Sequence, residues 1–361
     1  MKKIFCLLFI SCSAIAQQKD LIDTALQPFW KGKVMYNESV LMISKDGKPA
    51  EASLLFKPKK IISVQNSGLN IEYKKNVDWK YKSGKLTLLS GSKAVFMNYA
   101  ELYPDSTKKS FPAKNGGRVL HQEGIFFHEH QLAVTYKHKK HKWKGPIPVF
   151  KENDLPKTLD KLQNKKPVRL LLFGDSIAEG YNASGKFDKA PNMPDWGTLI
   201  DEKLKKFYDI PITFINTAIA GKDSKWGRET VQQNVIAHQP DLVIIAFGMN
   251  DGTGKIQPRQ FKANIQEIIQ KVRGQNNNAE FILVAPMLPN PESLFTGTQP
   301  EFKAVLDELA MKGIVVVDMT EVHRELLKFK SYQDMTGNNI NHPNDFLMRW
   351  YAQEILGVLI P

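Results

Sequence analysis

From Val168 onward the chain alternates short apolar runs with amphipathic stretches, and that alternation leaves few folds open. The runs are Val168–Phe173, Ile212–Asn216, Leu242–Phe247, Phe281–Ala285 and Ile314–Val317. Each is too short for a buried helix and largely apolar, the signature of a strand covered on both faces. Between them Trp196–Phe207, Arg228–Ala237, Pro258–Val272 and Gln299–Met311 carry helical periodicity, and Asp345–Leu359 follows as a last helix. The pattern predicts an α/β fold: a doubly wound, flavodoxin-like parallel sheet with helices on both sides.

The first part of the chain is different. Val34–Ile43, Ala52–Phe56, Ile61–Val64, Leu69–Tyr73, Lys85–Leu89, Val95–Tyr99, Gly124–Phe127 and Gln131–Tyr136 read as short strands. Turn signals such as Lys45-Asp-Gly-Lys and Asn115-Gly-Gly separate them, which predicts a jelly-roll-like β-sandwich. At 361 residues two domains are expected, 17–150 and 151–361, joined by a linker marked by Pro146, Pro148 and Pro156. Residues 17–150 hold 23 Lys/Arg against 11 Asp/Glu, a net +12, whereas residues 151–361 hold 25 against 26, a net −1. The basic half suits either an anionic partner or solvated lysines along strand faces and edges.

Lys2 and Lys3, the apolar Ile4–Ile10 and Ala14-Ile15-Ala16 predict a signal peptide over residues 1–16 and export to the periplasm or beyond. Cys12 offers a lipid-anchor alternative, though Phe9 stands where leucine is usual. Both cysteines, Cys6 and Cys12, fall in this segment, so cleavage would leave no thiol or disulfide chemistry. No apolar run reaches the roughly 18–20 residues that span a bilayer. Nucleic acid is not an expected partner of an exported protein.

The first apolar strand ends in Phe173-Gly-Asp-Ser-Ile-Ala-Glu-Gly180. A serine between a parallel strand and a helix shows its hydroxyl above the sheet among backbone N–H donors. Gly221, Asn250 and His342 follow in order, in Ala-Ile-Ala-Gly-Lys-Asp-Ser, Phe-Gly-Met-Asn-Asp and Asn-Ile-Asn-His-Pro-Asn-Asp. Singly these are a cap, two turn residues and a surface histidine. Jointly they supply a nucleophile, oxyanion donors and a base, the equipment of a serine hydrolase.

Ala178 takes the place of the last glycine in a Gly-x-Ser-x-Gly elbow, so that motif is absent. From about residue 165 to 361 the chain resembles instead the SGNH subgroup of the GDSL esterase/lipase family, whose four blocks occur here in order. The resemblance implies that Ser176 attacks an ester carbonyl with His342 as base. It implies further that the Ser176 N–H, the Gly221 N–H and the Asn250 amide form the oxyanion hole. The family's last block is usually Asp-x-x-His, but Asn339 stands three residues before His342. A neutral amide can accept the Nδ1–H bond yet cannot stabilise an imidazolium by charge. Three readings stay open: a Ser–His dyad orientated by Asn339 or a backbone carbonyl, a charge from Asp345 or Asp334, or an inactive relative.

Trp226 follows Gly221 closely enough to border the cleft, and aromatic faces stack on sugar C–H surfaces; packing at a helix start is the alternative. Tyr181, Asn182 and Ser184 are further candidates for substrate contact. His128-Glu-His130 would put two histidines on one strand face, with His138 and His141 nearby. Spacing alone does not show the three or four converging ligands a metal needs, and interdomain hydrogen bonding or a solvated face is the expectation. The basic run Tyr136-Lys-His-Lys-Lys-His-Lys-Trp-Lys-Gly145 fits a polyanionic polysaccharide or a solvated edge. The expected activity is hydrolysis of O-acetyl or other short acyl esters on a polysaccharide or oligosaccharide, without cofactor or metal. No long apolar lid stretch suggests a lipase. A lysophospholipase or thioesterase, or a noncatalytic carbohydrate-binding relative, are the alternatives.

Overall fold

The computed structural model describes residues 21–139 and 143–361. The signal-peptide and lipid-anchor expectations, with both cysteines, lie outside these residues, as does His141.

The second half forms a five-stranded parallel sheet. Numbered along the whole chain, its strands are β11 (Val168–Gly174), β12 (Ile212–Asn216), β13 (Leu242–Ala246), β14 (Glu280–Ala285) and β15 (Ile314–Asp318). Their order is β12-β11-β13-β14-β15, with Leu170 opposite both Phe214 and Leu242. Side chains alternate between two cores. Leu171, Phe173, Val243, Ile245, Phe281 and Leu283 face helices Ser224–Asn234 and Pro258–Gln275. Leu170, Leu172, Ile244, Ile282 and Val284 face helices Trp196–Tyr208 and Asp345–Leu359. Each fully buried Leu, Ile or Phe contributes about 1.5–3 kcal/mol. The doubly wound, flavodoxin-like expectation holds: β12 is added on one side of β11 and β13 on the other, so the strand order switches at β11 and the loops after β11, β12 and β13 meet at one sheet end.

The earlier residues form three smaller sheets. β1 (Val34–Leu41), β10 (Gln131–His138) and β4 (Pro58–Asn66) pair antiparallel in that order. A five-stranded sheet runs β5 (Trp79–Lys82), β6 (Lys85–Leu88), β3 (Glu51–Ser53), β2 (Ile43–Ser44), β7 (Met97–Asn98), its β2–β7 pair parallel. β8 (Ser110–Pro112) and β9 (Arg118–Leu120) make a hairpin. The first two sheets share one core, through Val40, Val64, Leu132 and Val134 on one side and Ala52, Leu86 and Leu88 on the other.

That core continues into the parallel-sheet region. Helix Asp345–Leu359 is buried nearly all round, its polar Arg349, Gln353 and Glu354 included. Trp350 packs on Phe29 and Trp143 with ring centroids 4.5 and 4.6 Å apart, while Tyr351 stacks on Trp196 at 5.6 Å. Arg349 donates from Nη1 to Asn37 O (3.1 Å) and from Nε to Ala25 O (3.2 Å). Between the regions Lys330 and Glu38 form an ion pair at 2.6 Å with both side chains fully buried, and Tyr136 OH donates to the same carboxylate at 2.5 Å.

Several local expectations are corrected. Gly124–Phe127 is not a strand: Phe126–His130 is a helix, so His128 and His130 do not share a strand face. His128 Nε2 meets Ala190 O at 2.8 Å, and His130 Nδ1 meets Phe126 O at 2.7 Å. Leu69–Tyr73 is a turn with one bridge, Gln65 to Glu72, because Leu69 takes a left-handed φ of 58°. Pro156 is no linker residue but opens helix Pro156–Gln163, where a missing N–H costs nothing.

Candidate active site

Three loops at the carboxyl end of the sheet bring the chemistry together. After β11, Asp175 caps the short helix Ser176–Glu179 by accepting from Ile177 N at 3.0 Å. Burial pushes the Asp175 carboxyl up to about 7, opposed by backbone N–H groups and reinforced by the charge of nearby Asp251. Burial likewise raises Asp251 to about 6, although it accepts from the Ser224 hydroxyl and N–H. These carboxylates sit behind the serine and fix loops; neither contacts His342.

Ser176 Oγ lies 2.9 Å from His342 Nε2. Ser176 and His342 are only 4% and 5% exposed, so the pair forms the floor of the site. His342 is held by its own loop: Asn338 Oδ1 accepts from the N–H groups of Ile340, Asn341 and His342, and Thr336 Oγ1 and Gly337 N donate to His342 O.

The other imidazole nitrogen decides whether the base works. Nδ1 lies 2.7 Å from Asn182 Oδ1 and 3.2 Å from Glu123 Oε2. The Asn182 amide donates to Gly124 O (2.6 Å) and Gly337 O (3.2 Å), both acceptors only. Its oxygen is therefore left to accept, so Nδ1 carries the proton and Nε2 presents its lone pair to the serine. A side chain on Gly337 would strike Asn182 Cβ at 2.2 Å, so only glycine admits this approach. Asn182 itself takes φ +67°, a conformation asparagine tolerates better than most residues.

Asn339 does not orientate His342. Its amide donates to Leu120 O (2.9 Å), and its oxygen accepts from Gln333 Nε2 (3.0 Å) and Asn290 Nδ2 (3.2 Å). Its φ of +67° turns the side chain into this buried network. The carboxylates weighed as substitutes are also elsewhere. Asp345 accepts from Ser184 N and lies 3.8 Å from His128, while Asp334 accepts from Leu41 N and Ser331 N. Asn182, expected to touch substrate, is a histidine partner instead. Glu123, 219 positions from His342, was invisible in the sequence, since nothing local marks it.

Gly221 has φ +75° and open space where a Cβ would project. Glycine is needed there for the left-handed backbone rather than for crowding. Asn250 lies in the first turn of helix Met249–Thr253, and its Nδ2 donates to Lys222 O at 2.8 Å. That bond fixes an amide that has a second N–H to offer. Tyr181 borders the imidazole with ring centroids 5.5 Å apart, and the Lys186 ammonium lies over its ring at 4.4 Å. Trp226 packs on Phe173 (5.6 Å) and Phe247 (6.3 Å) from helix Ser224–Asn234, the packing alternative. Among the described residues no cluster of His, Cys, Asp and Glu has the geometry of a metal site, and no helix is long and apolar enough to cross a membrane.

Residues 172–349 match the model of the GDSL-like lipase/acylhydrolase family. The chain is 27% identical over 190 residues to thioesterase 1/protease 1/lysophospholipase L1 of Escherichia coli K12, covering 52% of this chain and 82% of that protein. An arylesterase of Vibrio mimicus is 29% identical over 110 residues, covering 30% and 51%. Among solved structures, a two-domain esterase active on acetylated mannans superposes with a TM-score of 0.48 at 21% identity, over 60% of this chain and about half (53%) of that one. An acetylxylan esterase from Geobacillus stearothermophilus gives 0.46 at 18%, over 54% and 94%. The parallel-sheet region, with its serine, glycine, asparagine and histidine blocks, is an SGNH hydrolase domain of the GDSL-like lipase/acylhydrolase family.

Proposed function

We propose that this protein is an exported serine esterase that removes short acyl groups, acetyl above all, from a polysaccharide or oligosaccharide. The observation that carries the chemistry is the 2.9 Å Ser176–His342 contact with the imidazole tautomer locked from behind. Ser176 Oγ attacks the ester carbonyl as His342 Nε2 takes its proton. The tetrahedral oxyanion is held by the N–H groups of Ser176 and Gly221 and by the Asn250 amide. The bond from the carbonyl carbon to the sugar oxygen then breaks as His342 returns the proton to that oxygen, which leaves as a hydroxyl and gives an acetyl-enzyme. Water, deprotonated by the same nitrogen, then releases acetate and frees Ser176.

A polar substrate is favoured by the rim. Tyr181 and the half-exposed Glu123 border the imidazole and the Lys186 ammonium lies over the Tyr181 ring, a setting for hydroxyls rather than an alkyl chain. The arrangement of residues 17–150 as an accessory domain before a hydrolase domain at 151–361 belongs to this reading. A second reading, thioesterase or lysophospholipase, draws on the Escherichia coli relative matched over 82% of its length.

The test is acetate release from a panel of acetylated polysaccharides and a short aryl ester, with Ser176→Ala beside the wild type. Release that vanishes in the variant is expected. Rates that climb with acyl-chain length would move the assignment to the second reading. Activity surviving in Ser176→Ala would remove the serine mechanism.

A further inference from the structure

We infer that the carboxylate partner of the active-site histidine is Glu123, a positioning residue supplied by the N-terminal β region, and that the Asn339 departure and this supply are two halves of one arrangement. The inference rests on the serine esterase reading above. Glu123 follows β9 on a loop that leads into helix Phe126–His130. Its Oε2 lies 3.2 Å from His342 Nδ1, and its Oε1 accepts from Asn338 Nδ2 (2.9 Å) and meets His121 Nε2 (3.1 Å).

The loop is fastened on both sides of Glu123 to the histidine loop and its neighbours. Asn339 Nδ2 donates to Leu120 O, Gln122 N donates to Asn338 O (3.4 Å), and Asn182 Nδ2 donates to Gly124 O. An aspartate at 339 could not donate to Leu120 O and would set its charge against that carbonyl. The amide at 339 thus docks the loop, and the docked loop brings back the charge that the amide gave up. Asn182 and Glu123 then divide the work on Nδ1: the amide fixes the tautomer, and the carboxylate favours the imidazolium that forms during attack.

The charged and titratable groups facing Glu123 are His121 and His342, with the amide of Asn338 as the third contact. Burial alone would raise its carboxyl, but hydrogen bonds from both histidines and Asn338 hold it well below the usual range. It is therefore ionised across the working pH. Its side chain is 45% exposed, so solvent attenuates its charge at the imidazole. The expected contribution is moderate, about 10- to 30-fold in rate.

The experiment measures kcat, KM and the pH profile of aryl acetate hydrolysis in full-length wild type, Glu123→Gln, Glu123→Asp and Asn339→Asp, with Ser176→Ala as control. Glu123→Gln should lower kcat about 10- to 30-fold with KM little changed, and move the acid limb of kcat/KM to lower pH. Glu123→Asp should restore part of the rate. Asn339→Asp should not raise it. If Ser176→Ala is inactive while Glu123→Gln keeps both the wild-type kcat and its acid limb, the Glu123 proposal is overturned and the serine reading stands. A kcat loss with an unmoved acid limb and a matching fall in melting temperature would reduce Glu123 to a structural contact, which also overturns it. Full activity in Ser176→Ala would sink the underlying reading instead.

Discussion

The two regions of this molecule solve the burial problem differently. The parallel sheet is covered on both faces, so its inner strands β13 and β14 are buried along their whole length and two cores alternate across it. The β region has short strands, a core shared with the parallel-sheet region and a small second cluster around Leu41, Met97 and Phe127, and it sets lysines such as Lys60 and Lys137 opposite each other on its outer face. The first arrangement fixes the positions of Ser176, Gly221 and Asn250, because strand ends in one sheet are rigid reference points. The second contributes through contact: its loop around Glu123 is hydrogen-bonded to the hydrolase region and there reaches His342. Chemistry anchored to a sheet end is local to one region, whereas the setting of its base is shared.

That contrast can be broken or sharpened by experiment. Ser176→Ala removes the part that the parallel sheet alone positions, and hydrolysis of a short aryl ester should fall about 10⁴-fold or more. Lys330→Met strikes the joint between regions. It leaves Glu38 buried without its cation, which costs about 3–5 kcal/mol. Because one core spans both regions, calorimetry should show a single transition at lower temperature; two separated peaks would show that the regions unfold independently. Asn182→Ala releases the imidazole tautomer without touching Ser176, and kcat should drop about 10²-fold while the fold is kept.

A smaller, pH-dependent effect belongs to the helix Asp345–Leu359 between the regions. Burial pushes the Glu354 carboxyl up to about 9 from an ordinary 4.5. A raised folded pKa means that its contribution is fully present below about 4.5 and is lost as pH climbs towards 9. Glu354→Gln should therefore gain thermal stability relative to wild type across that window, on the order of a few kcal/mol, and level off above it. A melting-temperature difference that stays constant with pH would refute this. Least of all, Asp345→Asn should leave kcat within about twofold, since that carboxylate serves Ser184 N and not the histidine.

Much of the parallel-sheet region was legible. Ile212–Asn216 and Asp345–Leu359 run as their periodicity indicates, and the other strands agree within a residue or two. Strands buried on both faces and helices with one apolar stripe leave strong periodic signals. The β region was legible only as strand-rich. The segment at 124–127 has apolar strand composition yet folds as a helix start, because its flanks are fixed by Asn182 and Asn338 rather than by a neighbouring strand. Trp226 shows the same limit, since an aromatic near a motif packs or binds according to neighbours the sequence does not name.

The sequence by itself determined the parallel sheet and the order of the four blocks. Hydrophobic period and turn chemistry act over a few residues, and both are written locally. The tertiary structure decided what stands behind His342. Asn339 lies close in sequence, but a positive φ and a buried amide network turn it to Leu120. Asn182 and Glu123, 160 and 219 positions away, are the groups within reach of Nδ1. Hydrogen-bond partners are set by distances of about 3 Å in space, and a chain that crosses between two regions can meet that condition with residues that no local pattern singles out.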